Sequence, residues 1–424
     1  MTTLDSHGGA TSAGDGGWLS IARPALRPAV RVGPALLKGT GEVHIVGDRE
    51  TGAFVRVGPR EAFLMRHLDG KNSLHEITES YAQSFGRRLA PQHWQQLLGL
   101  LSSHALLDPA NPVQLRQIRE RAEKTRRAEG RGPLLWRAPI PGAVAMVPPA
   151  ARWLGWLLHP AVAVPLTALG TVISVLVLLH LPTLYLPIDN APSPLTLSVV
   201  SLLITWAVIG CHEIGHGVAC YRYGGRPTEI GVMWRFPMVV PYCKIDDVVT
   251  FSPARRLVTA FAGIYVNLAA LTPFAALWLW SRDSVWWHGL ASALLIFGTA
   301  MVLVNLVPVL KLDGYHLLEH ATSTVDLQSE SFRFAAALLR AGFAGIAGYP
   351  RRARRIYSCY AVLAAVILFP ALVLLVWSWF GILADLWNPV AAALILLAEA
   401  AVVAAFLTWA TIRRGRGPSL LSRS

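Results

Sequence analysis

In the stretch CHEIGHGVACYRYGG, residues 211–225, His212 and His216 stand four apart with Glu213 beside the first. On a helix, residues four apart share a face, so both imidazoles can reach one ion. Glu213 can then take a proton from water polarised by that ion. Zinc brings the pKa of such water down toward about 7. Chance offers a competing explanation, but with 13 His and 25 Asp plus Glu in 424 residues an accidental HExxH is expected at only about 2%. A pair of hydrogen-bonded core histidines is the other. Both are disfavoured by the preceding segment, Pro194–Gly210, which carries no charge. Ionisable groups in so apolar a setting are costly and mark function.

Zinc catalysis needs a third protein ligand and an open fourth position. The next polar cluster at comparable depth is NLVPVLKLDGYHLLEH, residues 305–320, with Asn305, Asp313, His316, Glu319 and His320. Pro308 interrupts the helix ladder there, as is tolerated where backbone lines a protein cavity. HLLEH, residues 316–320, is itself an inverted zinc-protease pattern. It can serve as a second metal site, a substitute ligand source or an ordinary amphipathic turn, so His316 and His320 stand beside Asp313 as candidates.

The elements that must position these groups are apolar. Hydrophobic residues make up 54% of the chain and charged residues 15%, far below the ~25% of soluble domains. Six stretches, near 160–181, 195–220, 257–280, 286–310, 356–380 and 389–412, are long enough to span a bilayer. The formal net charge of +13 would suggest nucleic acid in a soluble protein. Its distribution argues otherwise. The loops 182–194, 281–285 and 381–388 hold one basic residue together, Arg282, whereas 221–256 holds six and 311–355 holds seven. By the positive-inside rule the chain is a multi-pass protein of the cell membrane with both termini cytoplasmic, and no nucleic-acid partner is expected. The four cysteines form no CxxC pair and read as small apolar residues of a reducing compartment.

Before the membrane lies a small soluble unit. EVHIVGDRETGAFVRVG reads as a β-hairpin, followed by three helical patterns. The first places Phe63, Leu64 and Leu68 on one face. The second opens at Ser73 and Glu76, a capping-box spacing. The third places Trp94, Leu97, Leu98 and Leu101 on one face. The expected fold is therefore an α-helical polytopic membrane protein of about six transmembrane helices with a small N-terminal winged-helix-like α+β domain. The expected layout is a disordered N-terminus over 1–39, showing no signal peptide, the winged-helix-like domain over 40–108 and a basic linker over 109–155. A membrane domain over 156–412 and a basic cytoplasmic tail over 413–424 complete it.

HExxH followed some ninety residues later by Asn305-x-x-Pro308-x-x-x-x-Asp313-Gly314 resembles the site-2 protease family of intramembrane zinc metalloproteases. GVMWRFPMVVPYCKIDD and FAGIYVNLAALTPF resemble its peptide zinc metalloprotease subgroup, and the likeness covers roughly residues 195–330. It implies Zn²⁺ as cofactor, His212, His216 and Asp313 as metal ligands, Glu213 as catalytic base, and Asn305 as a group binding the substrate backbone or the developing oxyanion. Asn267 matches another family asparagine, although an interhelical hydrogen bond explains it equally well. The likeness also implies that residues of about 227–250 form a hairpin edge onto which a substrate strand can add. LDGKNSLHEITESYAQSFG and LLGLLSSHALLD resemble the PqqD-like domain that binds leader peptides of ribosomally made, modified peptides. A leader would add to the hairpin near Val43–Val46 or Phe54–Val57. A stabilising cap is the plainer alternative for this unit.

These readings converge on a membrane-embedded zinc endopeptidase that cleaves a peptide precursor. Its partners would be the bilayer, a peptide or membrane-protein substrate, and a leader peptide at residues 40–108. One rival is regulated cleavage of a membrane-anchored regulator or anti-sigma factor, though no PDZ or CBS pattern is present. Another is a non-proteolytic subunit for peptide export or immunity, against which the intact Glu213 argues.

Overall fold

The computed structural model describes residues 17–129, 135–189, 193–235 and 238–415. The expected disorder of residues 1–16 and the tail from 416 onward lie outside them. Helix α1 (Gly17–Ile21) and the short strand β1 (Ala25–Leu26) lead into an antiparallel sheet. Its strands are β2 (Val30–Lys38), β3 (Gly41–Asp48) and β4 (Ala53–Val57), in the order β2-β3-β4. Helices α2 (Pro59–His67), α3 (Leu74–Phe85) and α4 (Pro91–Ser103) follow, and β5 (Leu107–Asp108) pairs back onto β1.

Helix α3 starts where expected because Ser73 and Glu76 cap each other reciprocally, and it stops at Gly86, whose φ of 68° is left-handed. Val46, Leu64, Met65, Leu68, Leu74, Ile77, Trp94 and Leu101 form one buried core. The indole N–H of Trp94 donates to Thr78 Oγ1 at 2.8 Å, which satisfies its only polar atom.

Two expectations are corrected here. Ordered structure begins by Gly17, not at residue 40, because β2 supplies a third strand. Gly33 and Pro34 interrupt its alternation, and the register shifts between Val32 and Ala35. Val43–Val46 is also not a sheet edge, since β3 lies in the middle; of the two stretches expected to receive a strand, only the one in β4 lies on an edge strand.

The expected linker is structured as well. It contains α5 (Pro112–Glu129), the strand β6 (Leu135–Pro139) and α6 (Val147–Leu154). Beyond it come α7 (Pro160–Leu179), α8 (Leu181–Asp189) inside a segment expected to be a loop, and α9 (Pro194–Arg222). The hairpin β7 (Glu229–Arg235) and β8 (Met238–Lys244) follows, and β6 pairs with β7 to give a second sheet in the order β6-β7-β8. The remaining helices are α10 (Pro253–Trp280), α11 (Val285–Leu306), α12 (Asp313–Ala321), α13 (Leu327–Gly345), α14 (Arg351–Leu386) and α15 (Pro389–Gly415).

Five of these, α7, α9, α10, α11 and α14, are long and apolar enough to cross a membrane. The sixth expected span is helical as α15, but its apolar described part, Pro389–Val402, is shorter than a span. Helix α10 packs against α7, α9, α11 and α12. Small residues allow these close approaches: a Cβ on Gly170 would lie 2.4 Å from the carbonyl oxygen of Leu268.

The chain divides into two compact units, Met1–Tyr357 and Ser358–Ser424. In the second, Asn388 caps α15 by accepting from the Ala391 N–H at 2.8 Å, and Trp379 donates to Glu399 at 3.2 Å. In the first, the N-terminal sheet is docked on the membrane-side helices. The Leu37 N–H donates to Ser323 O at 2.8 Å, and Leu37 O accepts from the Val325 N–H at 3.0 Å. Asp326 pairs with Lys38 and Arg56, each at 3.4 Å, and Asp247 pairs with Arg49 at 3.4 Å.

Candidate metal centre

Helix α9 carries His212 and His216 on its buried face one turn apart, with ring centroids 4.9 Å apart and planes at 84°. Asp313 is the first residue of α12. Its chain arrives there through the break after α11, and Gly314 lets it pass close: a Cβ on Gly314 would lie 2.4 Å from Leu306 O. The carboxylate oxygens stand 3.1 Å from His212 Nε2 and 3.2 Å from His216 Nε2, while the two Nε2 atoms are 3.3 Å apart. These ligand atoms all lie within 4.8 Å of one another, and this is the one such cluster among the described residues.

Oδ2 is the oxygen near His212 and Oδ1 the one near His216, and each of these spacings is of the size a tetrahedral ion requires. Ligand bonds of about 2.0–2.1 Å at tetrahedral angles put donor atoms about 3.3 Å apart. Asp313 Oδ2 is buried and has no hydrogen-bond partner although His212 Nε2 is 3.1 Å away, so the two atoms are close without hydrogen-bond geometry. Burial alone would raise the Asp313 carboxyl, but His216 and His212 beside it hold it well below the usual carboxylate range.

His216 is oriented from behind. Its Nδ1 lies 2.8 Å from Thr259 O on α10, which assigns the proton to Nδ1 and leaves the Nε2 lone pair for an ion. His212 Nδ1 is buried without such a partner. Glu213 stays outside the ligand triangle, and its Oε2 accepts from the Cys243 N–H of β8 at 2.9 Å. Lys244 O accepts from Thr228 on the β7 side, so the alternate residue Cys243 directs its N–H to the outer edge of β8. Farther along that edge, Val239 O accepts from Trp206 of α9 at 3.1 Å.

The other expected residues are distributed differently. Asn305 is buried at the end of α11 and donates back to Met301 O at 3.0 Å; its side chain does not line the metal cavity. Asn267 is 2% exposed, with both amide atoms unpartnered, and lines a separate small cavity with Thr205, Phe274, Leu294 and Met301. His316 and His320 both line the metal cavity but are not in the ligand triangle. His316 Nδ1 lies 3.4 Å from Glu319 on the same helix. His320 is pushed down to about 4 by burial and then by Arg256, so it is neutral at pH 7.

Gly263 and Thr259 on α10 and Cys243 on β8 were not expected to bear on the site. Gly263 and Thr259 touch the imidazoles themselves. The trace of Gly263 in the sequence is a small residue inside the apolar stretch FAGIYVN. Compared with known proteins, the chain matches no family model, no curated protein and no solved structure.

Proposed function

We propose that the protein is a membrane-embedded zinc endopeptidase of the site-2 protease type, acting on a peptide precursor. The observation that supports this best is the convergence of His212, His216 and Asp313 while Glu213 remains outside the ligand set. A purely structural metal site has no use for an adjacent carboxylate held off the ion.

Zn²⁺, when bound, would supply Lewis acidity toward the scissile carbonyl and toward water. Glu213 takes the proton from the attacking water and later returns it to the leaving amine. The Cys243 N–H occupies that carboxylate at 2.9 Å. A substrate strand laid along the outer edge of β8 competes for the Cys243 N–H and releases Glu213 to act as a base. Asp313 and the Thr259-oriented His216 would hold the ion together with His212. The peptide enters from the side of the N-terminal unit, where β4 offers an edge for a leader peptide. Both termini lie on the cytoplasmic side, as the basic loops require.

The test uses the purified full chain, loaded with Zn²⁺ in detergent, and a pool of unstructured peptides read by mass spectrometry. New peptide termini are expected with the wild type. Glu213→Gln should lower their rate of appearance by about 10²–10⁴-fold while zinc content is unchanged. Equal rates in the two chains would reject the hydrolase reading.

A further inference from the structure

The cavity holding the metal ligands has a volume of about 640 Å³, and the membrane-side helices do not enclose it alone. Its lining includes Glu213, His216 and Asp313, and also Ile45, Phe54 and Arg56 of the N-terminal sheet. Ile45 is paired with Arg56 and Gly47 with Phe54, so these four share one face of the β3–β4 hairpin. Val46 and Val57, of opposite parity, enter the N-terminal core. One face of the hairpin thus meets its own helices, and the other, partly exposed at Phe54 and Arg56, borders the cavity.

The Phe54 ring borders the cavity there. It lies across Gly47, where a Cβ would come within 2.7 Å of its Cε1, and the residue is still 36% exposed. Ile245, Val248 and Val249, on the segment after β8, also contribute apolar lining to the cavity. Arg56, the charged residue on this face, is engaged by Asp326 at 3.4 Å. On α12, Asp313, His316 and His320 all line the cavity, and the seven steps of helix from Asp313 to His320 rise about 10 Å, the length of about three extended peptide residues.

We propose that the N-terminal hairpin builds a specificity subsite of the metal chamber, in which Phe54, with Ile45 and Val248, receives a large apolar side chain of the peptide close to the scissile bond. An extended peptide in the cavity, between β8 and α12, presents alternate side chains toward the hairpin, whose wall offers the apolar Ile45 and Phe54 beside the paired Arg56. The N-terminal unit then does more than hold a substrate at a distance: it contributes wall residues to the site of cleavage. This inference rests on the proteolytic reading above for its chemistry, but not for the place of the hairpin.

The test uses the full chain, Zn²⁺-loaded, with a pool of peptides randomised around a central segment. Wild type is expected to cleave with a preference for large apolar residues at one position. Phe54→Ala should flatten that preference and lower kcat/KM for the favoured peptides by at least about 10-fold, with peptides carrying a small residue there little affected. Phe54→Trp should shift the preference toward smaller residues, a change that simple loss of folding does not produce. Cleavage by Phe54→Ala with an unchanged profile would overturn the subsite and leave the protease intact. A second arm does not require turnover. Benzoylphenylalanine at position 54 in a Glu213→Gln chain should photo-crosslink peptides with large apolar residues in preference to polar ones. If the wild type cleaves nothing, crosslinks of that selectivity uphold the subsite and reject the hydrolase, and their absence overturns the subsite too.

Discussion

Gly263 lies directly against His216: a Cβ at position 263 would come 2.4 Å from His216 Nε2 and 2.5 Å from His212 Nε2. The bare face of α10 is thus the floor on which both metal-facing nitrogens rest. Gly263→Ala should push the imidazoles apart and lower metal affinity by about 10–100-fold, as loss of an orienting contact does. Gly298→Ala is the control. Its Cβ would meet only the end of the Leu271 side chain, at 2.6 Å, which can move. Zinc content after dialysis against a weak chelator distinguishes the two. Equal retention would show that the floor is not needed.

The third ligand can be assigned by metal content alone. Asp313→Ala should lose the metal as His212→Ala and His216→Ala do, because each opens one side of the same triangle. His320→Ala should keep it. The reverse pattern would move the third ligand to the HLLEH turn.

His320 should make the fold sensitive to acid. Its value is lowered from 6.5 to about 4 by burial first, then by Arg256, with Glu319 opposing and His316 adding to the shift. Being neutral when folded, it contributes stability that is present above about 6.5 and is lost as pH falls through to about 4. The loss is on the order of 3 kcal/mol. Thermal unfolding at pH 7 and pH 4 should show a larger drop for wild type than for His320→Gln. Parallel drops would mean that other groups dominate.

Orientation is testable without any activity. A reporter active only outside the cell, fused after Ser424, should be silent, since the basic loops and both ends are expected on one side. Activity at that fusion would reverse the layout.

What could be read in the sequence was what short-range chemistry fixes. The Ser73–Glu76 cap, the glycine stop at Gly86 and the HExxH face are each decided within one or two turns of helix. Asp313 was reachable because span direction puts it near the depth of His212. Contacts with partners far along the chain were not readable. β2 is masked by Gly33 and Pro34, which break the alternation that marks a strand. Asn305 looked catalytic by motif, yet its amide is taken by its own helix at Met301. Of the cavity wall only a trace was visible: Val43 to Val46 run together as VHIV, and Ile45 is 8% exposed although it faces away from the N-terminal core. Such a run marks a strand covered on both faces, and nothing local says what covers the second.

Strand β6 has a consequence for how the chain is made. It ends at Pro139, and its partner β7 begins at Glu229, about 90 residues later, with α7 and α9 between them. At synthesis rates of about 5–20 residues per second, β6 waits for roughly 5–20 s before its partner exists. During that time two helices apolar enough to cross a membrane are made, while the segment ahead of them keeps unpaired backbone. Arg137 in its middle and Pro139 at its end are the kinds of residue that discourage a waiting strand from pairing with the wrong neighbour. The edge that holds Glu213 through Cys243 therefore gains its full sheet only late in biogenesis, and a ribosome that stalls between α9 and β7 would leave His212, Glu213 and His216 without the strand that braces them.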